Sequence, residues 1–371
     1  MKNLLVINAG SSSIKFSLFK KSKNPVSIFS GSCDEIATEN SSLIFKDREA
    51  NIHKIKIKIS SHKEAINLII DLLKKQKLDF DAIAHRIVHG GHLHKVTLID
   101  KKVENTISSF SSFASLHNPF ELKVIQILKK LKKPQYAVFD TEFFVNLPEV
   151  SKIYPVPLKI SKKYNLRRYG FHGISHEYVS ENLKGKTIVC HLGSGCSVSA
   201  IKDGKALDTS MGMTPLEGVM MRTRSGSIDP GIILFLQKRG YNLDKILMED
   251  SGFKGISGKE DFRDILKTIK TDKNSKLAYD MFVYSISKMI GSYIAVLNGL
   301  DNLVFTAAIG ENVPMLRKDI CDNLKFLGLK IDHKKNEANN EIMSARKSKV
   351  KIYVKKTNEE YLIAKKIFLK W

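Results

Sequence analysis

The sequence lacks the features that mark secreted, membrane-spanning and disordered proteins. Only four of its 371 residues are cysteine, and no two of them have the Cys-x-x-Cys spacing of a zinc or redox motif. No apolar run approaches the ~18 residues that a membrane span requires, and the apolar stretch near Met1 is too short for a signal peptide. We therefore expect reduced thiols and a cytoplasmic location, with no membrane partner.

Acidic residues are scarce as well: 38 Asp and Glu face 61 Lys and Arg, which leaves a formal net charge of +23. A charge of this size suggests nucleic-acid binding. The lysines are nevertheless scattered along the chain, without an RNA-binding signature or a basic stretch interleaved with aromatic residues. We interpret them as a solvated surface that helps to attract anionic substrates, and we expect no nucleic-acid partner.

Apolar periodicity predicts an α/β fold with a largely central sheet, because strands and helices alternate along the chain. Strands are predicted at 3–8, 14–19, 55–59, 81–88, 136–140 and 303–306. Helices are predicted after the capping boxes Ser61–Glu64 and Thr357–Glu360, after Asn118, and over 277–300. A glycine turn is expected after the strand at 303–306.

One internal repeat is visible, although its specificity is low. Residues 186–202 predict a strand, a Gly/Ser loop and a second strand, as residues 3–19 do, and the two hairpins align when Gly10 is matched with Gly193. A duplicated domain, with one phosphate-facing hairpin in each half, explains this match. Two short Gly/Ser hairpins also match by chance, so the repeat alone leaves both interpretations open.

The loop from Asn8 to Ser13 directly follows a predicted buried strand. Its backbone amides and serine hydroxyls are suited to hold phosphate oxygens, and Lys15 adds positive charge; a plain hairpin turn uses the same residue types. The chain contains no G-x-x-x-x-G-K-[ST] motif, which excludes a P-loop nucleotide enzyme.

Four histidines crowd the segment 85–94, and a metal site is one interpretation of them. Zinc sites usually need a further acidic or thiolate ligand on regular elements, and no H-E-x-x-H motif occurs, so we favour other roles. Arg86 lies within an apolar strand, where a charge is costly unless it meets an anion. It indicates either a carboxylate- or phosphate-binding residue or a structural salt bridge.

Two later segments combine arginine with glycine. In the segment 167–176, Gly173 favours a helix start over a helix interior between His172 and His176. The polar segment 222–226 contains two arginines that we expect to be exposed, which is typical of an anion-binding loop. A solvated loop is the alternative.

Ten motifs, in the same order and over nearly the whole chain, resemble the acetate kinase family. They are Asn-Ala-Gly-Ser-Ser-Ser-Ile-Lys (8–15), His-Arg-Ile-Val-His-Gly-Gly (85–91), Leu-His-Asn-Pro (116–119), Val-Phe-Asp-Thr (138–141), Arg-Arg-Tyr-Gly-Phe-His-Gly (167–173), Asp-Thr-Ser-Met-Gly (208–212), Thr-Pro-Leu-Glu-Gly (214–218), Thr-Arg-Ser-Gly (223–226), Ile-Gly-Glu-Asn (309–312) and Thr-Asn-Glu-Glu (357–360). The resemblance implies an α/β fold of two duplicated actin-like, ribonuclease-H-like domains with the active site in the cleft between them. It places an N-terminal domain at 1–144, completed by a helix at 361–371, and a nucleotide-binding, dimerising domain at 145–360.

The resemblance also implies roles for individual residues. Arg86 and Arg224 would hold the carboxylate and the migrating phosphoryl group, and His172 would donate a hydrogen bond at the transition state. The catalytic set would be Asp140, His172, Arg224 and Arg86. Mg²⁺, with Mn²⁺ as the alternative ion, would be organised by Asp140, Glu359 and Asn8. The pocket for the methyl group of the acid would be Val88, Leu116, Phe171 and Pro215. The residues that bind the nucleotide and its phosphates would be Ser11, Ser13, Lys15, His191, Leu192, Gly193, Ser194, Gly195, Ala308, Ile309, Gly310, Glu311 and Asn312.

The activity that this resemblance implies is reversible, Mg²⁺-dependent phosphoryl transfer between ATP and acetate, giving acetyl phosphate and ADP, in a homodimer. A carboxylate is already ionised at neutral pH, so direct in-line transfer needs positioning and charge cancellation but no general base. The alternatives are propionate or butyrate as the acid, and pyrophosphate as the donor. A non-catalytic actin-like nucleotide-binding module is disfavoured, because it has no use for Arg86, His172 and Arg224.

Four residues depart from the family pattern on the nucleotide side. Ser194 stands where the family has asparagine, Arg222 where it has glycine, and Ala307 and Ala308 where it has a glycine pair. Added methyl groups restrict the approach of the backbone to a purine. These departures leave the identity of the phosphoryl donor open.

Overall fold

The computed structural model of the protein describes residues 1–47, 49, 51–115 and 117–371. The chain forms two compact units: Met1–Glu142 together with Asn358–Trp371, and Phe143–Thr357. Each unit contains one sheet of parallel and antiparallel strands with helices packed on it. No helix in these residues is both long and apolar enough to cross a membrane.

The first unit begins with a run of antiparallel strands and continues with alternating helices and strands. Its strands are β1 (Asn3–Ala9), β2 (Ile14–Lys20), β3 (Val26–Asp34), β4 (Ser42–Lys46), β5 (Ile52–Lys56), β6 (Ala82–Ile87), β7 (Thr97–Leu98) and β8 (Gln135–Phe139). Its first helices are α1 (His62–Lys75), α2 (Lys101–Ser109) and α3 (Asn118–Leu128), and a short 3-10 helix follows at Lys129–Leu131. A second 3-10 helix, Glu142–Phe144, lies where the chain passes from the first unit to the second.

Helix α1 shows how the sequence pattern builds the core of this unit. The Ser61 hydroxyl accepts a hydrogen bond from the Glu64 N–H at 3.3 Å, which caps the helix as predicted. Its apolar stripe, including Ile66 and Ile69, is buried against the sheet. The strand predicted at 55–59 is wrong in its second half, because β5 ends at Lys56 and Ile59 turns into the core.

The second unit is richer in helices. Its elements before the long helix are α4 (Glu149–Lys152), α5 (Leu158–Tyr164), α6 (Gly173–Ser180), β9 (Lys186–Leu192), β10 (Cys196–Lys202), β11 (Lys205–Thr209), α7 (Pro230–Lys238), α8 (Leu243–Met248), α9 (Gly252–Ser257) and α10 (Phe262–Thr268). The remainder is α11 (Lys273–Leu297), β12 (Asn302–Thr306), α12 (Ala307–Asn312), α13 (Pro314–Asn323), a 3-10 helix (Lys325–Leu327), α14 (His333–Glu337) and β13 (Lys351–Val354). The last helix, α15 (Glu359–Lys370), belongs to the first unit.

Two predicted boundaries differ from the structure for local reasons. Helix α15 is capped by Asn358, whose side-chain oxygen accepts a hydrogen bond from the Tyr361 N–H at 3.0 Å, and not by Thr357. Asparagine is at least as good an N-cap as threonine, so the helix begins one residue later. The glycine turn expected after β12 is the helix α12, which starts at Ala307 with a left-handed backbone (φ 65°).

The two sheets repeat one strand order. The first is ordered β5-β4-β3-β2-β1-β6-β8-β7 and the second β11-β10-β9-β12-β13. In each, the first strand of the unit pairs antiparallel with its hairpin partner on one side and parallel with a later strand on the other. The strands β3-β2-β1-β6-β8 therefore match β11-β10-β9-β12-β13, which confirms the duplication that the aligned hairpins suggested.

Candidate active site

Three polar side chains of the first unit meet at one edge of its sheet. Asn8 lies near the end of β1 and Arg86 near the end of β6, and Asp140 directly follows β8. These three strands are parallel neighbours, so their carboxyl ends lie side by side. Helix α15 packs on β1 and brings its first residue, Glu359, to the same edge.

Arg86 is the centre of this group. Its Nη2 lies 2.5 Å from Asp140 Oδ2, and its Nη1 donates to Asn8 Oδ1 at 3.3 Å. Its Nε lies 3.4 Å from Glu359 Oε2, which is an ion pair without hydrogen-bond alignment. Burial alone would lower the pKa of Arg86, but Asp140 and Glu359 outweigh it and raise the pKa above its usual range, so the guanidinium stays charged.

Acids outnumber bases around Arg86, which suits a cation. The Asn8 Nδ2 donates to Glu359 Oε2 and to Glu360 Oε1, both at 3.2 Å. Within the described ranges, however, no three His, Cys, Asp or Glu residues are arranged to hold a metal by themselves. Mg²⁺ commonly takes one or two carboxylates and completes its shell with water and substrate phosphates, so Asp140 and Glu359 fit this ion.

A buried carboxylic acid lies behind this group and was missed in the sequence. Glu121 is only 2% exposed, and its Oε2 accepts a hydrogen bond from the Val88 N–H at 3.1 Å. Burial raises the pKa of Glu121 to about 8, although the charge of Arg86 opposes this shift. In the sequence Glu121 looked like an acid in the first turn of a helix; only its burial distinguishes it.

The four histidines of the segment 85–94 point to different surroundings. His85 is buried and bonded to the Gln135 side chain, and burial lowers its pKa to about 4. His89 is buried where Asn118 bonds both its N–H and its carbonyl oxygen. His92 is exposed, and its carbonyl oxygen lies 2.8 Å from His94 Nδ1. The packing gives His85 and His89 structural roles in the strand and the loop after it.

The predicted phosphate loop of the first unit forms a tight turn. The Gly10 N–H donates to the Ser13 carbonyl at 2.8 Å, and Lys15 lies opposite Asn8 in the β1–β2 ladder. Ser11 and Lys15 are exposed and Ser13 is half-buried. Their part in binding phosphate stays a prediction.

The second unit holds a group centred on Gly195, in the turn between β9 and β10. His172 precedes α6 in a left-handed conformation (φ 56°), so Gly173 does begin a helix, as predicted. A methyl group built on Gly195 would lie 3.1 Å from His172 Nε2 and 3.4 Å from Arg224 Nη2. The imidazole of His172 and the guanidinium of Arg224 thus both lie close to the backbone at Gly195. A Cβ at this position would crowd both groups.

Arg224 is a buried cation in this group, which corrects the expectation that both arginines of the loop are exposed. It is 8% exposed, and its Nη1 donates to the Pro215 carbonyl at 2.6 Å. Within the loop, the Met221 N–H donates to the Arg224 carbonyl at 3.1 Å. Burial lowers the pKa of Arg224, and the described residues contain no carboxylate within 4.0 Å of it. A cation buried in this way is suited to bind an external anion.

Arg222 behaves differently from Arg224. Its side chain is half exposed, and its Nη2 lies 2.5 Å from Glu260 Oε2. Its backbone N–H donates to the carbonyl of Ser194, an exposed residue at the hairpin turn, at 3.4 Å. A phosphate that binds Arg222 would have to compete with Glu260.

Two segments with predicted nucleotide residues lie side by side in the second unit. His191 pairs with Thr306 at the ends of the parallel strands β9 and β12. The turn that follows β9 contains Gly193, and a methyl group built there would lie 3.6 Å from the Ala307 Cβ. The Ala307 N–H in turn donates to Glu311 Oε1 at 2.9 Å. The segments 191–195 and 307–312 are therefore adjacent, with their close approach at Gly193 and Ala307.

The residues predicted for the acid pocket are divided along the chain between the two units. Val88 is buried in the first unit, and Leu116 lies outside the described residues. Phe171 and Pro215 are buried in the second unit, next to His172 and beneath Arg224 respectively. The pocket itself stays a prediction.

Comparison with known proteins gives consistent results along the chain. The model of the acetokinase family matches residues 3–365. The acetate kinase of Thermoanaerobacterium thermosaccharolyticum is 43% identical over 98% of this chain and 97% of its own. That of Thermotoga maritima is 42% identical with the same two shares.

Solved structures are similar over the whole fold. A propionate kinase from Francisella tularensis superposes with a TM-score of 0.91 at 38% identity and covers 99% of each chain. The acetate kinase of Porphyromonas gingivalis superposes with a TM-score of 0.85 at 36% identity and covers 98% of each chain. These structures confirm the predicted fold class of two duplicated, actin-like α/β domains.

Proposed function

The chain belongs to the acetokinase family, and on this premise we propose that it transfers a phosphoryl group reversibly between ATP and acetate. The products are acetyl phosphate and ADP. The observation that carries this proposal is the buried guanidinium of Arg224, which has no carboxylate partner in the described residues and lies beside His172. A migrating phosphoryl group is an anion that would satisfy both side chains.

The reaction needs no base, because acetate is ionised at neutral pH. Arg86 holds the carboxylate, and Arg224 neutralises charge on the equatorial oxygens of the migrating group. His172 donates a hydrogen bond to the same oxygens. The two arginines differ in their resting partners: Arg86 is paired with Asp140, whereas Arg224 donates a hydrogen bond to the Pro215 carbonyl.

Mg²⁺ would be held by Asp140 and Glu359, with Asn8 beside them, and Mn²⁺ would suit the same oxygen ligands. When bound, the ion supplies charge neutralisation for the phosphates of the nucleotide. Asn8 orients Glu359 through its Nδ2, and Arg86 orients Asp140.

We assign the nucleotide to the adjacent segments 191–195 and 307–312. Ser11, Ser13 and Lys15 are also assigned to its phosphates. Carboxyl ends of parallel strands are the usual ligand edge of such sheets. The methyl groups of Ala307 and Ala308 restrict the approach of the backbone to a purine. We therefore expect weaker discrimination between purines than a glycine pair would give.

Propionate is the second candidate for the acid, because the solved structure with a TM-score of 0.91 is a propionate kinase. The residues assigned to the acid pocket are Val88, Leu116, Phe171 and Pro215. One methylene is worth only ~1–3 kcal/mol in an apolar pocket. We expect acetate to be preferred and propionate to be a poorer substrate.

We also propose a homodimer formed through the second unit. Helix α7 carries apolar side chains that are largely exposed: Ile232 by 46%, Leu234 by 59% and Phe235 by 55%. An apolar helix face of this kind is typical of a covered interface.

The four buried, unpaired thiols support the predicted cytoplasmic location.

The proposal is tested by trapping acyl phosphate as the hydroxamate. Acetate and propionate are assayed with ATP, GTP and pyrophosphate, with Mg²⁺ and with a chelator. We expect acetyl phosphate with ATP and with GTP, a requirement for the metal, and a lower kcat/KM for propionate. Absence of acyl phosphate with every donor would refute the proposed function, and equal kcat/KM for both acids would refute the assigned pocket.

A further inference from the structure

A line of four hydrogen-bonded side chains runs through the second unit and ends at His172. Ser199 Oγ lies 2.6 Å from His176 Nδ1, His176 Nε2 lies 2.7 Å from Ser197 Oγ, and Ser197 Oγ lies 2.9 Å from His172 Nδ1. The two serines belong to β10, and the histidines flank the start of α6. Ser199, His176 and Ser197 are fully buried.

The hydrogen bond of Ser199, at the buried end of this line, determines the direction of the other hydrogen bonds. His176 Nδ1 is the only hydrogen-bond partner of Ser199 Oγ in the described chain. A buried hydroxyl without an acceptor is costly, so Ser199 donates and His176 Nδ1 accepts. Burial and the neighbouring His191 keep the pKa of His176 well below its usual value, so this ring is neutral and its one proton is on Nε2.

The remaining steps follow from the number of protons. His176 Nε2–H donates to Ser197 Oγ, which leaves the single hydroxyl proton of Ser197 for His172 Nδ1. His172 Nδ1 is therefore an acceptor, and its ring proton is on Nε2. Reversing all the bonds would leave the Ser199 hydroxyl buried without an acceptor, which biases the equilibrium by roughly 5- to 150-fold against that arrangement.

The Cε1–Nε2 edge of the His172 ring faces the proposed anion site, and Nε2 is the nitrogen on that edge. It lies on the side of Gly195, 3.1 Å from a methyl group built there, and Arg224 Nη2 approaches the same point. His191 stacks on the other side of the ring, with 4.1 Å between the ring centroids. A proton on Nε2 makes the imidazole a hydrogen-bond donor towards an anion at Arg224.

We propose that Ser199, His176 and Ser197 form a hydrogen-bond relay that holds His172 in the tautomer with its proton on Nε2. These three are positioning residues, since they act through His172. The identity of the anion, a migrating phosphoryl group, rests on the proposed function; the tautomer does not.

The test is nuclear magnetic resonance of the full chain labelled with ¹⁵N-histidine, in which long-range spectra distinguish protonated from bare ring nitrogens. The His172 signals are assigned by their loss in His172→Gln. We expect a protonated Nε2 and a bare Nδ1 in the wild type. Ser199→Ala should remove the preference for one tautomer of His172 and give a mixture of both. Ser199→Thr keeps a hydroxyl and should restore the tautomer with its proton on Nε2.

The matched control is Ser180→Ala, which removes another buried hydroxyl of α6, one that donates to the His176 carbonyl and not to its ring. It should leave the His172 signals unchanged. If Ser199→Ala does not fold, Ser197→Ala breaks the next link and should give the same mixture. In active enzyme, Ser199→Ala should lower kcat roughly 2- to 10-fold with little change in the KM for acetate, because the donor acts on the transition state.

A proton on Nδ1 in the wild type, or an unchanged His172 spectrum in folded Ser199→Ala, would overturn the relay. Failure of the proposed function would look different. An inactive wild type with its proton on Nε2 would refute phosphoryl transfer and support the relay.

Discussion

Arg86 Nη2 and Asp140 Oδ2 lie 2.5 Å apart at the ends of two neighbouring parallel strands, and the Asp140 side chain has no exposure. Arg86 is thus both a neutralising partner for buried acids and a proposed ligand of the substrate. Arg224 has no such partner in the described residues, so the two arginines should respond differently to mutation.

Arg86→Met is expected to destabilise the protein as well as to abolish activity. It leaves Asp140 and Glu359 without their cation, and breaking a buried pair typically costs about 3–5 kcal/mol. Chemical denaturation measures the loss, and Arg86→Met with Asp140→Asn should recover part of it. Unchanged stability in the single variant would show that the pair contributes nothing.

Arg224→Met should separate activity from stability. Removing a buried cation that lacks an acidic partner should leave the melting temperature unchanged or higher, while kcat falls by about 10²–10³ through loss of one transition-state contact. Arg222→Met is the control, because that side chain is half exposed and paired with Glu260. A clear drop in melting temperature for Arg224→Met alone would contradict this account.

Glu121→Gln should remove a pH dependence of stability. The pKa of Glu121 is about 8 in the folded protein against an ordinary value of 4.5, so the folded state retains a proton that the unfolded chain has lost between these values. The stabilisation that protonated Glu121 contributes is complete below about pH 4.5 and is lost as the pH rises to 8. Over this range the free energy of unfolding falls by up to about 1.4 kcal/mol per pH unit. Glutamine keeps an acceptor for the Val88 N–H without titrating.

Denaturation of both proteins between pH 5 and 9 gives the comparison. The free energy of unfolding of the variant should gain on that of the wild type as the pH rises. Parallel curves would mean that Glu121 ionises as an ordinary carboxyl group.

Ala307→Gly and Ala308→Gly should have opposite effects on stability. Ala307 has φ 65°, a strained conformation for a residue with a Cβ, so glycine there should stabilise by about 1 kcal/mol. Ala308 is the next residue of the same helix and is exposed, and glycine there should cost about 0.5–1 kcal/mol. Denaturation midpoints measure both, and effects of the same sign would argue against backbone strain at Ala307.

Local patterns in the sequence were sufficient for the elements and for the family. The stripe of α1 and the capping role of Ser61 are consequences of neighbouring residues, and the structure has both. The hairpin repeat at Gly10 and Gly193 also reflects local turn chemistry. Ten ordered motifs indicated the acetate kinase family, which the comparisons confirm.

Tertiary structure alone decided which polar residues are buried and what they meet. The burial of Glu121 was not predicted, and Arg224 was expected to be exposed, because exposure is not encoded in the identity of one residue. The same holds for the relay, since Ser197 and Ser199 alternate with apolar residues as in any strand. Hydrogen bonds between residues more than 20 positions apart form only when α6 packs beside β10, and that packing sets the partners of His172.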